Sequence, residues 1–234
     1  MKPIIAIYGP THSGKTDLAK ALYSKYSSEL ISVDSVQIYK HLDIGSNKPT
    51  KEELDKFPHH LIDILEPNEK FSVGDFKKRS LKIIQKADEE SKIPIFVGGT
   101  MMYFYSLLEG LADLPKRDDL IRLELSCDLE TFGLASLFRR LVKIDPEAAE
   151  KIHPHDTQRI IRALEVCLIT NDKFSEILKK ENQKNLLNRK IISFAIIPED
   201  RINYKKDLKI RFKAMLKKGF VNEVKSIIKK FSKE

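Results

Sequence analysis

Residues 9–16 read Gly-Pro-Thr-His-Ser-Gly-Lys-Thr, a complete match to the phosphate-binding pattern G-x-x-x-x-G-K-[ST]. An apolar run at residues 4–7 precedes the match and predicts a strand, and apolar residues at helical spacing follow it. Strand, loop and helix is the order in which this pattern forms a phosphate-binding loop, or P-loop, so a glycine-rich turn without a ligand is disfavoured. The stretch therefore predicts an α/β fold that begins with a P-loop.

The residue types of the loop indicate its chemistry. Glycines at positions 9 and 14 allow backbone N–H groups to turn towards an anion, and the lysine adds a positive charge for the same oxygens. The threonine places a hydroxyl at the start of the following helix, where it can bind Mg²⁺. We predict that the loop binds a diphosphate or triphosphate with Mg²⁺ as cofactor, through Gly9, Pro10, Thr11, His12, Ser13, Gly14, Lys15 and Thr16.

Short apolar segments recur along the chain, at residues 4–8, 29–33, 60–64, 93–97 and 190–197, with helical patterns between them. This alternation predicts a mostly parallel sheet covered by helices on both faces. Between the fourth and fifth segments the strand signal disappears, and helix starts such as Asp145-Pro146 and Asp156 take its place. We predict a discontinuous P-loop α/β core, residues 1–112 and 189–234, interrupted by a helical insertion domain at 113–188.

Composition and charge narrow the classes of protein to consider. No apolar run approaches the length of a membrane span and no export signal precedes the first strand, so we expect a cytoplasmic protein with no membrane partner. The two cysteines and six histidines lack metal-ligand spacing. Of the net charge of +8, residues 201–234 carry +9, from twelve Lys or Arg and three acidic residues. That segment is either a nucleic-acid contact or the solvated face of a helix, and lysine dominance favours the latter on charge alone.

Two further candidate positions follow predicted strands. Asp34 comes directly after the strand at 29–33, and Gly98-Gly99-Thr100 comes after the strand at 93–97. Because ligands of open parallel sheets bind beyond the carboxyl ends of the strands, these residues are expected near the P-loop. Asp34 is a candidate general base or magnesium partner, with a turn or helix cap as the alternative, and a plain turn is the alternative for the glycine pair. A phosphate site, a carboxylate and a hydroxyl would then surround one reacting centre.

A helix predicted over residues 157–170 carries a polar stripe. Gln158, Arg159 and Arg162 lie on the side opposite Ile161 and Leu164. Such a stripe is a candidate contact for nucleic acid, through guanidinium groups to phosphates or an amide to a base edge. A solvated helix surface is the ordinary alternative.

Taken together, the motifs closely resemble those of the tRNA dimethylallyltransferases, in the same order and over nearly the whole chain. Besides the P-loop, the matching stretches are Ile31-Ser-Val-Asp-Ser-Val-Gln-Ile-Tyr39, Asp43-Ile-Gly45 with Lys48-Pro49, His59-His-Leu-Ile-Asp63, Gly98-Gly-Thr-Met-Met-Tyr103, Asp145-Pro146, Ile152-His-Pro-His-Asp156 and Gln158-Arg-Ile-Ile-Arg-Ala-Leu-Glu165. The P-loop is common to many kinases, whereas the combination with Ser-Val-Asp-Ser, Gly-Gly-Thr and Gln-Arg-Ile-Ile-Arg is specific.

The resemblance implies transfer of a dimethylallyl group from dimethylallyl diphosphate to N6 of adenine 37, next to the anticodon of tRNA. It also implies that Asp34 is the base that accepts the N6 proton, that Thr100 positions the reacting groups, and that the target adenine is drawn out of the anticodon loop. The implied partners are the tRNA anticodon stem-loop and dimethylallyl diphosphate, and a monomer is expected. The implied tRNA-binding residues are Asp34, Ser35, Val36, Gln37, Thr100, Arg122, Gln158, Arg159, Ile160, Ile161 and Arg162.

Two features depart from the family pattern. His12 stands where the family usually has alanine, and family members continue past the point that matches Lys230 through further helices that contact tRNA. Two alternatives therefore stay open beside the transferase. One is a small-molecule or nucleotide kinase, against which the absence of an arginine-rich lid within residues 113–188 argues. The other is a truncated, non-catalytic tRNA-binding protein.

Overall fold

A computed structural model describes residues 1–108, 110, 114–181 and 189–231. The chain forms two compact units, one of Met1–Leu107 with Leu187–Glu234 and the other of Leu108–Leu186. The predicted domain boundaries, at 112/113 and 188/189, fall on residues outside the described ones. Within the described ranges, no helix combines the length and the apolar character needed to cross a membrane.

Strands and helices alternate in the first unit and helices alone fill the second. The strands are β1 Ile4–Tyr8, β2 Ser28–Val33, β3 His59–His60, β4 Ile93–Gly98 and β5 Ile191–Ala195. The helices are α1 Lys15–Lys25, α2 Lys51–Lys56, α3 Val73–Glu89, α4 Met101–Leu108, α5 Asp119–Phe132, α6 Leu134–Ile144, α7 Pro146–Lys151, α8 Thr157–Thr170, α9 Phe174–Glu181, α10 Arg201–Lys217 and α11 Phe220–Phe231.

The five strands form one parallel sheet in the order β3-β2-β4-β1-β5. On one face, Ile5, Leu30 and Ile95 pack against α1 through Ala19 and its apolar neighbours. The alternate strand positions are buried as well, and α3 contacts β2 and β4 with Phe76 buried. Burial on both faces explains why the strands have continuous apolar sequences. The P-loop α/β fold class predicted from the sequence is confirmed.

The third predicted strand is wrong over most of its length. We predicted residues 60–64, whereas β3 contains only His59 and His60. Leu61 and Asp63 have positive φ angles of 64° and 54°, which no strand accommodates. The N–H groups of Asp63 and Ile64 donate to the carbonyls of residues 37 and 38 instead of to the sheet. The apolar run therefore forms turns that are hydrogen-bonded to the segment after β2.

The helical unit has a core of its own, built on well-capped helices. The Asp145 carboxylate accepts the Ala148 N–H at the start of α7, and Asp156 accepts the Arg159 N–H at the start of α8, as the sequence predicted. Asp145 is fully buried and also accepts hydrogen bonds from the N–H and hydroxyl of Ser175, which ties α9 to α7. The buried core residues are Leu125, Leu137, Leu141, Ala148, Ala149, Ile152, Ile160, Ala163 and Leu164.

Candidate active site

A cavity of about 410 Å³ lies at the carboxyl ends of β1, β2 and β4. Its position follows from the parallel sheet, whose strand ends all meet at one edge. The structure thus brings together residues 11–16 of the P-loop, Asp34 after β2, and Gly98-Gly99 at the end of β4, as predicted. Gly9, Pro10 and Thr100 are not among the lining residues. The lining residues are Thr11, His12, Ser13, Gly14, Lys15, Thr16, Asp17, Lys20, Ser32, Asp34, Gln37, Ser46, Asn47, Lys48, Pro49, Thr50, Glu53, His59, Val97, Gly98, Gly99, Arg211 and Lys218.

The P-loop has the geometry that the sequence predicts. It runs from the end of β1 to the start of α1, where Gly14 precedes the helix in a left-handed conformation with φ of 88°. His12, the position at which the chain departs from the family pattern, also has a positive φ of 62°. Because the side chain of an L-residue tolerates this conformation at a modest energetic cost, the backbone turn of the loop is preserved.

Lys15 lies deep in the loop, with 9% of its surface exposed. Its ammonium donates to the Pro10 carbonyl of the same loop and to the Ser13 hydroxyl. Burial lowers the pKa of Lys15 below its ordinary 10.5, and the charge of Arg211 lowers it further, while Asp34 acts in the opposite direction. The negative charge of an anion in the cavity would act in the direction of Asp34 and raise this pKa.

Asp34 stabilises a turn, which the sequence offered as one alternative, and its side chain also lines the cavity. Its Oδ1 accepts the N–H groups of Val36 and Gln37 at 2.8 and 3.2 Å, so one oxygen stabilises the turn after β2. Its Oδ2 has no hydrogen-bond partner among the described residues, and the side chain lines the cavity. The turn therefore orients a carboxylate with one oxygen available to a ligand.

The ends of β2 and β4 are tied to each other. The N–H groups of Gly99 and Thr100 both donate to the Val33 carbonyl at 3.2 Å, and the Thr100 hydroxyl oxygen accepts the Ser35 N–H at 3.1 Å. Gln37 accepts the Ser32 hydroxyl at 3.2 Å. Hydrogen bonds therefore connect Thr100 to the predicted residues at positions 34–37, at the edge of the cavity.

Lys48 fixes another wall of the cavity. Its side chain is only 3% exposed, and the ammonium donates to the Tyr39 carbonyl at 2.9 Å, to Asp43 at 2.6 Å and to the carboxylate of Asp63. Two carboxylates and a carbonyl satisfy all three ammonium protons, so the charge is compensated within the wall. Lys48 is thus a structural part of the site, and we did not assign it a role from the sequence.

Two cations of the site come from the C-terminal helices, and the sequence reading missed them. Arg211 of α10 and Lys218, which follows α10, line the cavity together with the P-loop residues. Tyr204 of α10 donates its hydroxyl to the Thr11 carbonyl at 2.7 Å. These three residues recur every seven positions, which places them on one face of a helix. That spacing was the available signal, and the abundance of lysine in the segment hid it.

In the helical unit, one buried carboxylate holds two of the predicted tRNA-binding arginines. Glu165 is fully buried and accepts Arg122 Nε at 3.2 Å, Arg162 Nη1 at 2.8 Å and the Asp118 N–H at 3.0 Å. Burial alone would raise the pKa of Glu165, but these hydrogen bonds hold it below the ordinary 4.5. Both guanidinium side chains keep 27% of their surface exposed.

The other predicted residues of α8 divide between surface and core. Gln158 and Arg159 are exposed, and Ile161 is half-buried against the core of the unit. Ile160 has no exposed surface, so its side chain is a core contact and cannot touch tRNA from this position. The polar stripe predicted from the sequence is real, but it is narrower than the run of residues 158–162.

Comparisons with known proteins place these observations in context. A family model described as IPP transferase matches residues 37–234. A tRNA dimethylallyltransferase from Nitrosococcus oceani is 43% identical over 225 residues, which cover 96% of this chain and 71% of that protein.

Solved structures give the same picture. The tRNA delta(2)-isopentenylpyrophosphate transferase of Staphylococcus epidermidis is 36% identical with a TM-score of 0.61, over 98% of this chain and 74% of that one. The tRNA isopentenylpyrophosphate transferase of Bacillus halodurans is 33% identical with a TM-score of 0.65, and the match covers 99% of this chain and 71% of that one. A eukaryotic dimethylallyltransferase acting on tRNA is 28% identical with a TM-score of 0.79, and the match covers 99% of this chain and 57% of that one.

Proposed function

The chain belongs to the IPP transferase family of tRNA dimethylallyltransferases, and from this premise we propose that its P-loop cavity binds dimethylallyl diphosphate and transfers the dimethylallyl group to N6 of adenine 37 in tRNA. The observation that carries the proposal is the convergence of Lys15, Arg211 and Asp34 on one cavity. Two cations suit a departing pyrophosphate, and the carboxylate suits a nucleophile that must lose a proton.

The cations act on the leaving group. When the bond between the allylic carbon and the diphosphate oxygen breaks, negative charge grows on pyrophosphate. Lys15, the N–H groups of the loop, Arg211 and Lys218 all face the volume in which this charge would develop. Groups that are already oriented towards a developing charge lower the barrier because they need no reorganisation during the step.

Asp34 acts on the nucleophile. N6 of adenine forms a bond to the allylic carbon as the carbon–oxygen bond breaks, and the attacking nitrogen becomes acidic as it gains positive charge. The Oδ2 of Asp34 accepts the released proton, while Oδ1 stays in the turn that orients the side chain. The products are N6-dimethylallyl adenosine in tRNA and pyrophosphate, so atoms and charge balance.

The site has the donors that Mg²⁺ requires. Thr16, in the lining of the cavity, offers a hydroxyl at the start of α1. In the described part of the chain, no group of three or more His, Cys, Asp or Glu side chains is arranged to hold a metal ion. Mg²⁺ commonly takes only one or two protein oxygens and completes its shell with phosphate and water. Bound here, the ion would neutralise part of the diphosphate charge.

We assign the tRNA contacts to both units. Residues 34–37 and Thr100 would hold the target nucleotide, which must leave the stacked anticodon loop to reach a buried carbon. Arg122, Gln158, Arg159 and Arg162 offer exposed polar groups to the phosphates of the anticodon stem. We further propose that the protein acts as a monomer, and that it works in the cytoplasm as a member of a tRNA-modifying family.

The decisive experiment combines the protein with Mg²⁺, dimethylallyl diphosphate and unmodified tRNA bearing A36-A37-A38. Nuclease digestion and mass spectrometry should find dimethylallyl adenosine, with an equal amount of pyrophosphate released. A tRNA with guanine at position 37 and a Lys15→Ala variant are the matched controls, and neither should give product. ATP turnover without tRNA, and no prenylated adenosine, would establish the kinase. Binding of tRNA without product would establish a non-catalytic protein.

A further inference from the structure

The segment made of α10 and α11 supplies two cations to the cavity, Arg211 of α10 and Lys218 between the two helices. Neither helix has a buried residue within the described chain. Because burial of apolar side chains normally fixes the position of a helix, the placement of these two depends on a few specific contacts. Those contacts decide where Arg211 and Lys218 lie.

The most specific of these contacts is made by Glu223 of α11. Its Oε2 accepts the N–H groups of Asp43 and Ile44 at 2.9 and 2.7 Å, and its Oε1 accepts the Gly45 N–H at 2.9 Å. Three backbone donors on one carboxylate form charge-assisted hydrogen bonds, which are stronger than neutral ones. The helix is thus locked in one register against the loop at residues 43–45.

Other contacts keep the two helices attached around this lock. The ring of Phe220 fits against Gly45, where an added Cβ would come within 2.4 Å of the ring. Phe231 stacks on His41 with ring centroids 5.9 Å apart. Near the start of α10, Tyr204 bonds the Thr11 carbonyl. Arg211 and Lys218 lie in sequence between the Tyr204 and Glu223 contacts, so both ends of the segment that carries them are fixed.

We propose that Glu223 is a positioning residue for the diphosphate site: its carboxylate, bound to the N–H groups of residues 43–45, holds Arg211 and Lys218 against the P-loop. The inference rests on the proposed function for the identity of the ligand, a diphosphate. Glu223 itself does not line the cavity and acts through the two cations.

The test measures binding of inorganic pyrophosphate to the full chain by calorimetry in the presence of Mg²⁺. Glu223→Gln replaces an acceptor oxygen by an amide NH₂, which cannot accept all three N–H groups, while the aromatic contacts remain. We expect its pyrophosphate Kd to rise about fivefold to tenfold, within the range for a weakened charge-assisted hydrogen bond. Asp207→Asn, which removes an exposed carboxylate from α10, is the matched control and should leave the Kd unchanged.

A double-mutant cycle separates positioning from general destabilisation. If Glu223 acts through Arg211, the step from Glu to Gln in an Arg211→Ala background should change the Kd by less than about twofold. If Glu223→Gln fails to fold, Gly45→Ala takes its place, because the added methyl group pushes Phe220 away from the loop at residues 43–45. It should weaken pyrophosphate binding in the native background and not in the Arg211→Ala background. Additive effects, or a lower melting temperature with an unchanged Kd, would overturn the inference.

Pyrophosphate binding needs neither the prenyl group nor tRNA, so the test is separate from the test of activity. A chain that shows the predicted cycle but makes no prenylated adenosine would refute the proposed function and leave the role of Glu223 intact. A native chain that binds no pyrophosphate would overturn the role of Glu223.

Discussion

Lys15 is a buried cation whose pKa lies below the ordinary 10.5 in the unliganded site. Burial and Arg211 lower its pKa, and a bound diphosphate must raise that pKa again. Pyrophosphate affinity should therefore weaken as the pH rises towards 10.5, because the unliganded lysine loses its proton below its ordinary pKa. The check compares Kd against pH for the native chain and for Lys15→Arg, whose side chain stays charged. Parallel profiles would contradict the assignment, since pyrophosphate itself titrates equally in both.

Asp34 gives a prediction that separates chemistry from binding. Asp34→Asn keeps an oxygen that can accept the Val36 N–H, so the turn should persist, but the amide cannot accept a proton from N6. We expect the single-turnover rate with bound tRNA to fall by about 10²- to 10⁴-fold, the usual contribution of a general base. The pyrophosphate Kd should change by no more than about twofold. An unchanged rate with bound tRNA would remove Asp34 from the role of base.

The residues of the site differ in how visible they were to sequence reasoning. The P-loop, Asp34 and Thr100 lie directly after predicted strands, where the position of a ligand follows from the topology of a parallel sheet. Arg211 and Lys218 reach the cavity from helices at the other end of the chain. Their seven-residue spacing with Tyr204 indicates a shared helix face, but tertiary contacts such as those of Glu223 decide that this face meets the cavity.

At the scale of the element, Glu165 of α8 binds Arg162 of its own helix and Arg122 of α5, and the contact with Arg122 joins the two helices. Its pKa is lower in the folded than in the unfolded chain, so it stabilises the fold above its ordinary 4.5 and this contribution disappears as the pH falls through the folded pKa. Glu165→Gln should lower the free energy of unfolding by about 3 kcal/mol at pH 7, a typical cost of breaking a buried ion pair.

Urea unfolding at several pH values tests this prediction. The difference in free energy of unfolding between the native chain and Glu165→Gln should shrink below pH 4.5, since only the native chain has a carboxylate at position 165 that becomes protonated. Glu130→Gln, at an exposed position of α5, should match the native chain throughout. A difference that is constant with pH would show that shape and packing, not the charge of Glu165, account for the destabilisation.

Helix starts that depend on neighbouring residues were predicted correctly, whereas the strand predicted at residues 60–64 was wrong because contacts distant in sequence decide its structure. The proline and aspartate at the start of α7 and the aspartate before α8 set helix starts that chain-local chemistry determines. Residues 61–64 have the apolar character of a strand, but Lys48 binds Asp63 and the neighbouring N–H groups bond residues 37 and 38. A partner so distant in sequence overrides the local β propensity.

At the scale of the whole molecule, the excess of positive charge should make tRNA binding depend strongly on salt. Lys205, Lys209 and Lys213 are exposed on α10, and we expect them to bind phosphates of the tRNA backbone. Each replacement by glutamine that frees one phosphate should reduce the slope of log Kd against log salt concentration by about 0.7 to 0.9. The pyrophosphate Kd is the control and should be unchanged by these replacements, because the three lysines do not line the cavity. An unchanged slope would assign these lysines to a solvated helix face.

The position of β1 in the sheet has a consequence for biosynthesis. β1 lies between β4 and β5, and its N–H at Ile4 donates to the Lys190 carbonyl. At about 5–20 residues per second, a ribosome needs roughly 10 to 40 s to pass from β1 to β5. During that interval the nascent chain exposes an open strand edge, which is where aggregation begins. Gly9 of the P-loop lies against the Ile196 carbonyl beyond β5, so the surroundings of the loop are completed only when this late part of the chain has been made.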